Sequence, residues 1–81
     1  MREYEQVKKD WMDLIALGKR YQRDAEKENT EAAFLKLGTL MRAHIIPARC
    51  GLENELRDLF DAKKITLKQL KSLIEKWPAD L

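Results

Sequence analysis

The sequence predicts an all-α protein, a small antiparallel bundle of three to four helices with a long first helix and a helical hairpin at the C-terminus. Three observations carry that prediction. Apolar residues recur in steps of three and four along most of the chain, the period of a helix face. Only three Gly and two Pro occur in 81 residues, and Leu, Lys, Glu and Ala dominate, a composition of helices rather than of a turn-rich sheet. Thr66 and Gln69 stand three apart at the head of an amphipathic run, the signature of a capping box.

The first helix is the most strongly marked. Tyr4, Val7, Trp11, Leu14, Gly18, Tyr21 and Ala25 form one seam, which predicts a helix from about Glu3 to Glu28. Gly18 on that seam marks a place where another helix packs closely. Met12, Ile15 and Leu17 widen the apolar face beyond what one neighbour needs, which argues for a bundle. Glu26 to Thr30 is polar, and either Asn29 or Thr30 can cap the next helix through its side-chain oxygen.

The second helix carries Ala33, Phe34, Leu37, Leu40, Met41, His44 and Ile45 on a broad face, with Lys36, Thr39 and Arg42 as a narrow polar stripe. It is expected to be the most buried. Pro47 has no backbone donor and disfavours helical geometry at Ile46, so an end or a kink is expected there. A third helix falls within Pro47 to Ala62, with Leu52, Leu56, Leu59 and Phe60 on one face. Its start is either at Pro47 or after a break at Cys50 and Gly51. The last helix begins at Thr66, with Ile65 and Leu70 placed as a hydrophobic staple. Leu67, Leu70, Ile74 and Trp77 form its apolar face, Leu73 lies beside it, and Pro78 stops it. The stretch Leu56 to Trp77 reads as a helical hairpin whose capping chemistry is general and identifies no family.

At this length one domain, residues 1–81, is expected. Apolar residues at 44% and interspersed charges at 37% fit a folded globular chain rather than a disordered one. A lone Cys50 forms no internal disulfide and the N-terminus lacks the apolar core of a secretory signal, so a cytoplasmic location is expected. Charges interrupt every apolar stretch well short of a bilayer span.

Catalysis and metal binding need convergent His, Cys, Asp or Glu, and one His and one Cys are a thin inventory. His44 and Cys50 would meet as base and thiolate only if the chain bent sharply at Pro47. The pairs Asp10 and Asp13, Glu53 and Glu55, and Asp58 and Asp61 sit at spacings of solvated helix faces. No phosphate loop or nucleophile motif occurs. No catalytic residue, cofactor or metal is therefore expected.

Charge is unevenly distributed. Residues 1–29 are neutral, 30–50 carry +2, 51–62 carry −3 and 63–81 carry +3. Lys64, Lys68 and Lys71 make a basic flank on the last helix, where the acidic third helix is the natural neutralising neighbour. Met12, Leu17, Leu35 and Ile46 are left on or near outer faces, more apolar surface than a small monomer carries comfortably. These features favour a small non-enzymatic interaction protein, an adaptor, inhibitor or regulator, binding another protein or a second copy through a helix face. Trp11, Met12 and Leu17 are the candidate contact residues. The second reading is a nucleic-acid-binding regulator that uses Lys64, Lys68 and Lys71. The residues that would specify it are sparse: the turn before the last helix has Lys63 and Lys64 in place of a glycine, and that helix exposes no Arg or Asn for base edges.

Overall fold

A computed structural model describes all 81 residues, Met1–Leu81, as three helical rods with no strand. The first rod is α1, Tyr4–Glu28. The second is continuous: α2, Glu31–Leu40, runs through a five-residue π-turn, Met41–Ile45, into α3, Ile46–Asp61. The third is α4, Leu67–Lys76. A count of three or four thus depends on whether the second rod is divided at its π-turn.

Local chemistry sets the ends. Asn29 adopts the left-handed conformation that Asn tolerates, with its N–H donating to the Ala25 carbonyl at 2.8 Å. The Thr30 hydroxyl then accepts from the Ala33 N–H at 3.1 Å and starts α2. The α3 end is a Schellman motif, with the Lys64 N–H on the Leu59 carbonyl and the Lys63 N–H on that of Phe60, both at 2.9 Å. Lys63 occupies the left-handed position at φ 59° where glycine is usual. At α4 the full capping box forms: Gln69 N–H donates to the Thr66 hydroxyl at 3.1 Å, and Thr66 N–H to Gln69 Oε1 at 2.8 Å. Ile65 is buried and Leu70 half-buried, as a staple requires.

Pro47 does not end the second helix; the chain absorbs it. Lacking an N–H, Pro47 cannot complete the ordinary ladder, and the backbone widens just before it so that the Ile46 N–H donates to the Met41 carbonyl. The extra residue also rotates the helix. At about 100° per residue, Ile45 would point some 120° away from Ala33. Accommodating one residue in the wide turn brings it to about 20°, and Ile45 is wholly buried.

The second rod runs back along α1. Ala33 and Leu37 lie beside Tyr21 and Ala25, Leu52 beside Leu14, and Glu55 beside Arg2. Then α4 returns in the direction of α1, with Lys64 near Tyr4, Leu73 at Trp11 and Asp80 at Gln22. The core gathers Val7, Trp11, Leu14 and Ile15 of α1, Ile45, Leu52, Leu56 and Leu59 of the second rod, and Ile65 and Leu73. The molecule is elongated, 47 × 19 × 17 Å, because α4 and the residues after it, Asp80 and Leu81, reach along α1 to Gly18 and Gln22, while α1 and α2 continue as a pair.

Three expectations are corrected. Gly18 does accommodate a close neighbour, but that neighbour is the Leu81 side chain, 3.0 Å from where a Cβ would lie, and not a helix. The second helix is largely exposed rather than the most buried: Phe34 is 45% and Leu35 67% exposed, and within α2 only Ala33 is buried. Its apolar residues encircle it, and only the side facing α1 is packed. Finally, α4 turns Leu73 into the core and leaves Leu67 and Ile74 exposed.

Candidate interaction groove

Trp11, a seam residue that is also a candidate contact residue, belongs to the core. Its ring is wholly buried and its Nε1–H donates to the Leu73 carbonyl at 2.7 Å. The reason is visible in α4. The Trp77 N–H donates to Ile74 rather than to Leu73, which leaves the Leu73 carbonyl among the unpaired acceptors of a helix end. Trp11 supplies the missing donor. Trp77 packs on it with ring centroids 5.1 Å apart and tilted by 59°, Arg49 lies 4.7 Å over the Trp77 ring, and the Trp77 indole N–H reaches the Leu81 carbonyl at 3.0 Å. Both indoles are thus used in joining α4 to the other rods.

Leu17 and Met12 do not share a face. Met12 is 40% exposed and points about 140° around α1 from Leu17. Leu17, half-buried, lines an open groove of about 490 Å3 between α1 and α3. Its floor is Leu14, Leu17, Ala48 and Leu52, its rim Asp10, Asp13 and Glu55, and Gly51 leaves a gap in its wall. Gly51 is exposed within α3, has no positive φ, and nothing lies within 4 Å of where its Cβ would be. Neither a tight turn nor a close backbone neighbour requires a glycine there, although glycine in a helix interior is destabilising by about 1 kcal/mol relative to alanine.

The groove's polar rim is organised by its own cations. Arg2 forks onto Glu55, with Nε–Oε1 3.0 Å and Nη2–Oε2 2.5 Å, and also meets Asp10 at 2.5 Å. It ties the start of α1 to α3. Its hydrogen bonds to Glu55 first, then to Asp10, raise its already high pKa further. Lys9 pairs with Asp13 at 2.7 Å, and that hydrogen bond likewise holds its ammonium above the usual lysine value.

His44 and Cys50 are both exposed. The helix continues through Pro47, so the two sit about 9 Å apart along the axis. No three His, Cys, Asp or Glu side chains converge as metal ligands. Lys64, Lys68 and Lys71 are exposed, and none forms an ion pair with Asp58, Asp61 or any other acid. The expected neutralisation of α4 by α3 is absent at the level of contacts. No helix is long and apolar enough to cross a membrane. The chain matches no family model, no curated protein and no solved structure.

The sequence names Leu17 as a candidate contact residue but does not reveal the groove that it lines. Its other wall comes from Ala48 and Gly51, whose small size is informative only once α3 is known to run unbroken past Pro47.

Proposed function

We propose that the protein is a small non-enzymatic interaction module that holds a helix of another protein in the α1–α3 groove. The observation that carries this reading is the open groove at Gly51: an apolar floor, a charged rim and a helical glycine that neither turn geometry nor packing accounts for. A volume of about 490 Å3 suits one or two large apolar side chains of a partner helix. Asp10 and Asp13, each paired with a cation through one oxygen, then offer their other oxygen to polar or basic groups beside them.

Gly51→Leu tests it, because the added side chain enters open space and fills the groove without disturbing the fold. Proteins retained from the native cell by the wild type are expected to be lost on Gly51→Leu and on Leu17→Glu, with helix content unchanged by circular dichroism. Retention of the same partner by Gly51→Leu overturns the reading.

A second reading, nucleic-acid binding by the α4 flank, draws on the unpaired state of Lys64, Lys68 and Lys71. Phosphate contacts make affinity fall steeply with salt. Duplex DNA and RNA titrated across a salt series should show only weak binding. Tight binding at physiological salt that is abolished by the triple Lys→Ala variant would replace the groove reading with this one.

A further inference from the structure

The outer face of α2 has a pattern that neither the core nor the groove uses. Glu31, Leu35, Gly38 and Arg42 follow one another in steps of four, three and four, and at about 100° per residue they fall within about 60° of one another, turned away from the Ala33 side that packs on α1. Leu35 is the most exposed large apolar residue after Met1, and Phe34, 45% exposed, borders the stripe on one side. Neither Glu31 nor Arg42 has an ion-pair partner. Arg42 folds back over the bare backbone of Gly38, with Nη1 3.4 Å from where a glycine Cβ would lie.

The stripe is symmetric about its midpoint: the acid lies four residues before Leu35 and the base four residues after Gly38. From this we propose that a second copy of the chain docks here, the two α2 helices lying antiparallel across a two-fold axis between Leu35 and Gly38. In that arrangement Arg42 swings off Gly38 toward the other copy, and Leu35 of each copy fits the notch this opens at Gly38 of the other. Glu31 of each meets Arg42 of the other, so both charges on each chain gain a partner. A two-fold contact demands this kind of self-complementarity, which a stripe of one sign or of apolar residues alone lacks. The contact is built on one helix and is smaller than the roughly 800 Å2 per partner of a standard interface, so dissociation in the range of about 10–100 μM is expected. The proposal does not depend on the groove, which lies between α1 and α3.

Sedimentation equilibrium of the full chain decides it. Wild type is expected to dimerise at about 100 μM. Arg42→Glu and Glu31→Arg are each expected to weaken association about tenfold or more at low salt, because two attractive pairs become two repulsive ones. The double variant Glu31→Arg/Arg42→Glu should restore it. Both positions are exposed, so circular dichroism should show unchanged helix content throughout. A wild type that stays monomeric at several hundred micromolar overturns the proposal, as does a dimer insensitive to the single reversals or not restored by the double one.

Discussion

Gly51→Ala isolates one physical contribution. The residue is in the interior of α3, is exposed, and adopts no positive φ, and a Cβ there meets nothing within 4 Å. The added methyl therefore neither clashes nor buries appreciable area. What remains is the backbone: alanine loses less conformational entropy on entering a helix, worth about 1 kcal/mol in a helix interior. For a domain of this size that corresponds to a rise of about 4–8 °C in Tm. Urea unfolding followed by circular dichroism should show a higher midpoint with an unchanged slope, because the surface exposed on unfolding is almost the same. A midpoint that is unchanged or lower would mean that position 51 is not an ordinary helical site open to solvent. The groove wall would then not be open at Gly51. Gly51→Leu carries a similar backbone gain, so a variant that is at least as stable as wild type but loses its partner separates recognition from folding.

The remaining predictions concern the joints of the fold. Thr66→Ala removes the hydroxyl that accepts from Gln69 and should cost about 1 kcal/mol in denaturant unfolding; an unaltered midpoint would mean the capping box contributes nothing to the native state. Trp11→Phe leaves the Leu73 carbonyl buried without its donor and shrinks a wholly buried ring, so a loss of about 2 kcal/mol is expected, and a loss below about 0.5 kcal/mol would show that the indole hydrogen bond is dispensable. Lys63→Gly relieves a left-handed residue in the Schellman turn and should stabilise by about 0.5–1 kcal/mol after the flexibility it adds to the unfolded chain; destabilisation would refute that assignment of strain.

Helix ends written in side-chain chemistry were legible in advance. The box at Thr66, the cap at Thr30 and the extent of α1 depend on neighbours within a few residues, and short-range hydrogen bonding decides them whatever the rest of the chain does. Of Met12, Leu17, Leu35 and Ile46, expected on or near outer faces, Met12, Leu35 and Ile46 are exposed and Leu17 is half-buried against the core, because a seam of one period fixes what lies opposite it. Trp11 lies on the predicted seam and is buried there, but its additional assignment as a contact residue fails because its indole N–H is already engaged. Its partner is a backbone carbonyl 62 residues away, and main-chain acceptors carry no mark in a sequence.

The region around Pro47 shows how a local rule yields to packing. Proline disfavours a helical residue before it and removes one ladder bond, which predicts an end or a kink. An end there, however, would have divided the rod that lines α1 and left Ile45 without the neighbours that bury it. A π-turn satisfies both demands: the ladder loosens where the donor is missing, and the one-residue phase shift turns Ile45 inward, in step with Leu52, Leu56 and Leu59. The same shift accounts for α2. Ahead of the turn its Ala33 side is aligned with the core, and its 31, 35, 38, 42 stripe is committed to the outside. The second rod can therefore close one side of the bundle at its α3 end and present a different side of α2 outward, an arrangement that an uninterrupted α-helix of the same sequence would not give.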